Sequence, residues 1–268
     1  MKRFIKRKVI VQIVAILIFA ISMSFLNGNS SIETSSNSIS NVKIEWGIKR
    51  NDKHEQPDVG QKNKELIDKY KGICMGNNEK KYIYLTFDNG YEAGYTNKIL
   101  EVLKQNDVTA TFFITAHYLN TEPELVKQMI DEGHIVGNHT VNHKSMPSLN
   151  EEQLKKEVID LHQAIYSKFG YEMKYIRPPK GEYSEKTLSI TNSLGYKTVM
   201  WSFAYEDWDE KKQPDEEKSK EKILNNLHNG EIMLLHATSK TNTNILDSLI
   251  KEIKAQGYEI RSIDNFEE

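Results

Sequence analysis

From Tyr82 onward, short apolar runs rich in β-branched and aromatic residues alternate with stretches whose apolar positions recur at three- and four-residue spacing. The runs are Tyr82 to Phe87, Ala110 to Thr115, His134 to Gly137, Lys174 to Arg177, Lys197 to Ser202, Ile232 to His236 and Tyr258 to Ile263. Strands of this length separated by amphipathic helices are the sequence form of repeated βα units and a parallel sheet. Seven of them predict a barrel. The clearest helix is Glu151 to Phe169, where Leu154, Val158, Leu161 and Ile165 share one face and Gly170 supplies the stop. Those apolar residues are core.

The pattern breaks at the N-terminus. Lys2, Arg3, Lys6, Arg7 and Lys8 precede an apolar run from Val9 to Leu26. Basic residues tend to stay on the cytoplasmic side, so the segment 1–26 predicts export, either as a signal peptide or as a membrane anchor. A buried core helix is the bland alternative, but core helices are rarely apolar all round with a basic cluster at one end. Residues 27–43 are rich in Ser and Asn and read as a flexible linker. Residues 44–81 mix aromatic, Gly, Pro and charged positions and read as an N-terminal extension lying across the domain that begins at Tyr82 and runs to residue 268.

Composition narrows the chemistry. The 36 basic and 38 acidic residues give a net charge of -2, which offers no electrostatic reason to expect nucleic acid as a partner. Cys74 is the only cysteine, so an internal disulfide and a cysteine-rich metal site are excluded, and Cys74 is expected to pack as a small hydrophobe.

Candidate chemistry gathers where the strands end. Thr86-Phe87-Asp88-Asn89-Gly90-Tyr91-Glu92 places a carboxylate, an amide and a glycine after an apolar strand, which is either a plain turn or a site. His139 and His143 stand four apart after the next-but-one run, a spacing that suits one face of a helical turn and the ligation of a divalent metal, or two ordinary surface or capping residues. In Arg177-Pro178-Pro179-Lys180-Gly181-Glu182-Tyr183-Ser184, two prolines fix an extended loop, Ser184 is placed to cap the following helix, and Arg177 can orient a carboxylate. Asp207 lies beside Trp208, which could stack on a sugar face or pack in the core. His236 ends an apolar strand, as a titratable group or as a buried, hydrogen-bonded imidazole.

Taken in order, these segments resemble the five motifs of the polysaccharide deacetylases of carbohydrate esterase family 4, with the likeness running from about Tyr82 to the C-terminus. Thr86 to Glu92, Arg177-Pro178-Pro179 and Leu234-Leu235-His236 are most similar to the muramic-acid deacetylase branch. The resemblance implies a distorted (β/α)7 barrel and an exported hydrolase that removes acetyl groups from N-acetylated sugars. For the branch it implies N-acetylmuramic acid in peptidoglycan, with the freed amine able to close to the muramic δ-lactam of spore cortex. It implies Asp88 as general base, His236 as general acid, Asp207 as partner of His236 and Arg177 as orienting group of Asp88. His139 and His143 would hold a divalent metal, Zn²⁺ first, with Asn89 as a further ligand. The backbone N–H of Lys180 would stabilise the oxyanion, and Tyr91 and Trp208 would contact the glycan. Asn89 departs from the family pattern, which has a second Asp there, so weaker metal binding is expected. A deacetylase of N-acetylglucosamine glycans and a catalytically silent cell-wall binder are the rival readings. A monomer, touching the membrane only through residues 1–26, is expected.

Overall fold

Each of the seven predicted runs becomes a strand of one parallel sheet. The computed structural model describes residues 39–51 and 53–268. Residues 1–26, expected to be a targeting segment, and most of the expected linker lie outside the described residues, and no described helix is long and apolar enough to cross a membrane. In chain order the strands are β1 (Ile44–Glu45), β2 (Tyr82–Asn89), β3 (Thr111–Ile114), β4 (Ile135–Asn138), β5 (Tyr175–Ile176), β6 (Glu182–Tyr183), β7 (Lys197–Thr198), β8 (Glu231–His236) and β9 (Glu259–Ile260). The sheet runs β7-β5-β4-β3-β2-β8, with β9 also beside β2.

β2 is the axis of the fold because it is buried along almost its whole length, as expected of a parallel strand covered on both faces. The sheet curls until its ends meet. Phe203, beyond β7, forms a parallel bridge to Met233 of β8, so closure rests on an irregular seam rather than on a full ladder. Part of that seam is filled by the segment before β2: Ile73 bridges Val199, and the Gly76 N–H donates to the Gly230 carbonyl at 2.7 Å. The close approach requires glycine, since a Cβ on Gly230 would stand 2.4 Å from the Gly76 carbonyl carbon. The result is a distorted (β/α)7 barrel.

The helices follow their sequence signals. Glu151–Phe169 begins at an Asn150–Gln153 capping box and ends at Gly170, whose φ of 66° is left-handed. Ser184 caps Glu185–Ser193 as expected, its hydroxyl accepting from the Thr187 N–H. Cys74 is buried, and burial pushes its thiol up to about 12, which leaves it an inert packing group. Two features were not legible. β1 pairs antiparallel with β6, more than a hundred residues away, and the segment 44–81 carries a helix at Gln61–Lys69.

Candidate active site

Strand register brings the first two groups together. β2 and β8 pair in parallel with Asp88 directly opposite His236, so both side chains leave the sheet at the same height and on the same face. Two strands farther across the sheet, the Arg177 N–H donates to the Asn138 carbonyl, which sets the residues following β4 and β5 side by side. His139, His143, Tyr91 and Trp208 join Asp88 and His236 around one cavity of about 660 Å³.

Arg177 and Asp207 lie behind that cavity, each holding one of the two titratable groups. Arg177 is fully buried, and its Nη1 donates to Asp88 Oδ1 at 2.8 Å while Nε donates to the Val199 carbonyl at 3.2 Å. The guanidinium carbon sits 4.3 Å from the centre of the Phe113 ring, a cation–π contact that helps keep a buried charge in place. Burial pushes the Asp88 carboxyl up, but the positive charge of Arg177, aided by the protonated form of His236, outweighs it and holds the group below the usual carboxylate range. Oδ1 is committed to Arg177, so Oδ2 is the oxygen left to act.

Asp207 is also buried and takes three hydrogen bonds. His236 Nδ1 meets Oδ1 at 2.7 Å, and Oδ2 accepts from the His236 N–H at 2.8 Å and from Asn242 Nδ2 at 2.5 Å. Burial alone would lower the His236 pKa. The Asp207 pairing, with Asp88 adding to it, reverses the sign and raises it. With Nδ1 occupied, His236 turns Nε2 toward the cavity; its side chain is 25% exposed, so the hydrogen-bonded part of the buried-imidazole expectation holds and the burial does not.

The two histidines do not lie on a helical turn, contrary to the spacing argument. Residues 139–143 form a loop in which Thr140 and His143 have φ of 68° and 54°. Glu157 fixes that loop: its carbonyl accepts from the Val141 N–H, and its carboxylate accepts from the Asn142 N–H and from Asn142 Nδ2, both at 2.7 Å. Left-handed backbone therefore does what helical periodicity was expected to do, and brings the two Nε2 atoms to 3.1 Å. His139 Nδ1 donates to the Arg177 carbonyl at 2.8 Å, which leaves its Nε2 lone pair facing the cavity. Burial lowers the pKa of both rings, that of His143 to about 4, so both are neutral near pH 7.

Neutral imidazoles with converging nitrogens fit a divalent cation. Asn89 adds a fully buried carboxamide whose oxygen and nitrogen find no hydrogen-bond partner among the described residues; the Tyr118 hydroxyl approaches it without hydrogen-bond geometry. The donor set is poor in charge, for no cluster of three His, Cys, Asp or Glu ligands occurs among the described residues. Asp88 Oδ2, the nearest carboxylate oxygen, stands 3.5 Å from His139 Nε2.

Of the other expected contacts, Trp208 is 52% exposed with its ring centre 5.8 Å from that of His236, so it is a wall of the mouth and not a core residue. Tyr91 is 44% exposed at the same mouth. Lys180, at φ 60°, and Asn89 do not line the cavity, although the Lys180 charge is near enough to bear on His143. Sequence reasoning missed Glu157, Asn242, Thr115, His117, Asn142 and Thr238. For Glu157 and Asn242 no local signal existed, since each acts on a segment distant in the chain. For Thr115 and His117 the signal was the end of the run Ala110 to Thr115, a strand end like the others.

The chain has recognisable relatives among known proteins. The polysaccharide deacetylase family profile matches residues 75–199. The chain is 42% identical over 228 residues to the peptidoglycan-N-acetylmuramic acid deacetylase PdaA of Bacillus subtilis, covering 85% of this chain and 87% of that one. It is 45% identical over 237 residues to an uncharacterised 30.6 kDa protein of Geobacillus stearothermophilus, covering 88% and 89%. Among solved structures it resembles Bacillus subtilis PdaA, described as a family 4 carbohydrate esterase, with a TM-score of 0.83, 42% identity and coverage of 85% and 98%.

Proposed function

This chain belongs to the polysaccharide deacetylase family, carbohydrate esterase family 4, and on that footing we propose that it hydrolyses the acetamide of N-acetylmuramic acid in peptidoglycan. The observation that carries the reading is the Asp88–His236 pair, set opposite each other by strand register and biased to opposite protonation states by Arg177 and Asp207. A silent binder needs no such pair.

The chemistry follows from the free atoms. Asp88 Oδ2 takes a proton from water as the water oxygen adds to the acetyl carbon. The carbon–nitrogen bond then breaks, His236 Nε2 gives its proton to the departing amine, and acetate is released. A divalent cation held by His139 and His143, with Asn89 as a further donor and Zn²⁺ as the first choice, would polarise the acetyl carbonyl and acidify water. Trp208 and Tyr91 would flank the sugar. Removing the acetyl group leaves a free amine beside the lactyl carboxyl of muramic acid, which suits δ-lactam closure and a role in spore cortex. Export through residues 1–26 would place the enzyme at its polymer.

Mass spectrometry of purified glycan strands treated with native protein, Asp88→Asn and His236→Ala tests the proposal. Loss of acetyl groups from muramic residues with the native protein alone is the expected result. Acetate from glucosamine residues only would turn the reading to the other substrate, and none from either would turn it to a binder.

A further inference from the structure

The end of β3 delivers a side chain that the mechanism above leaves without a task. His117 lines the catalytic cavity, and with His139, His143 and His236 assigned it is the remaining basic side chain on that lining. The others are Asp88, Gly90, Tyr91, Thr115, Val141, Asn142, Trp208 and Thr238, none of which carries positive charge. The sheet order sets His117, after β3, on the far side of β2 from the β8 residues, so it faces the wall that carries Trp208 across Asp88.

Its backbone is held on both sides. Thr115 Oγ1 donates to the Gly90 carbonyl at 2.8 Å, tying the end of β3 to the turn after Asp88. Tyr118 is fully buried, and its hydroxyl donates to Glu92 Oε2 at 3.0 Å. Glu92 in turn accepts from the Gly94 and Tyr95 N–H groups, at 2.6 and 2.7 Å. Between these two anchors the His117 residue is exposed, and its own carbonyl is engaged locally by the Thr121 hydroxyl. The backbone at the root of the ring is therefore anchored, and the ring itself is exposed at the cavity where a substrate group can meet it.

We propose that His117 is a specificity-determining residue that donates a hydrogen bond to the carbonyl oxygen of the 3-O-lactyl substituent, the group by which muramic acid differs from glucosamine. This rests on the function proposed above. The acetamide nitrogen and the lactyl oxygen sit on adjacent ring carbons, so a sugar whose acetamide reaches Asp88 and His236 must present its lactyl arm within the same cavity.

The test uses the full chain with His117→Ala and His117→Gln, assayed for acetate release from muramic-containing strands. Loss of one hydrogen bond to a charged or strongly polar acceptor should raise KM about tenfold with a smaller change in kcat, and Gln, which keeps a donor, should recover part of it. A second readout needs no turnover. In the Asp88→Asn background, a disaccharide with the lactyl arm should bind more tightly than its N-acetylglucosamine counterpart, and adding His117→Ala should erase that preference. If native protein deacetylates muramic residues and His117→Ala keeps both its KM and the binding preference, the inference fails and the proposed function stands. If native protein leaves muramic residues acetylated, both fail.

Discussion

At the scale of single residues, the site is two charge-biased groups and a charge-poor donor set, and each makes its own demand. Asp88→Asn and His236→Ala each remove a proton-transfer group, and each should lower kcat by about 10²–10⁴-fold. Acetate assays on folded variants check this. His236 works in its protonated form, and its raised pKa extends that form to higher pH, with activity falling as pH rises through it. The groups that bear on it are Asp207, Asp88 and Arg177. Asp207→Asn keeps the shape of the pair but removes the charge that raises the pKa, so the alkaline limb of the kcat profile should move to lower pH. A limb that stays in place would separate His236 from that limb. Asn89 makes the complementary case. With no hydrogen-bond partner among the described residues, it gives a cation a neutral oxygen at most, so chelator should abolish deacetylation readily and Zn²⁺ should restore it. Asn89→Asp adds a carboxylate beside Asp88, and metal analysis after dialysis should find more cation retained. Full activity in strong chelator would remove the metal from the mechanism.

At the scale of elements, the seven strands and the helix Glu151–Phe169 were legible because their signals are local: β-branched runs, apolar periodicity, and an Asn or Ser at the cap. The His139–His143 loop was not. Its geometry depends on two left-handed residues and on Glu157 of a following helix, and spacing alone cannot separate that from a helical turn. The catalytic groups could be named from strand ends, whereas the pairing of Asp88 with His236 is a property of register between segments almost 150 residues apart. β4 carries its own constraint at Gly137, where a Cβ would stand 2.5 Å from the Phe113 ring. That ring also lies against Arg177. Gly137→Ala should therefore cost about 1–3 kcal/mol by overpacking. It should also lower kcat, because the displaced Phe113 disturbs the guanidinium that holds Asp88. Denaturant unfolding together with acetate assay decides, and a variant of native stability and native rate would show that the strand has room to yield.

At the scale of the whole described unit, the barrel's weak point is the seam between the β7 side and β8, where the ladder thins to bridges. The segment 44–81, whose role composition could not convey, supplies part of what the sheet lacks there. Ile73 pairs with Val199. Trp46 is buried, its N–H donates to the Gly181 carbonyl at 2.9 Å, and its indole Nε1 donates to the Trp201 carbonyl at 2.8 Å. It thus joins the loop after Arg177 to the strand continuation after β7, two segments whose partners no local pattern could reveal. Trp46→Ala deletes a buried aromatic and both leaves the Trp201 carbonyl without its donor and opens the packing around Tyr183. The expected cost is about 3–5 kcal/mol, read as a lower denaturant midpoint at unchanged slope. Tyr166→Ala, at a residue 52% exposed on the helix Glu151–Phe169, should stay within about 0.5 kcal/mol and serves as the control. If Trp46→Ala were as mild as the control, the Trp46 contacts would add nothing to closure, and the Ile73–Val199 and Phe203–Met233 bridges with the Gly76–Gly230 bond would carry the seam.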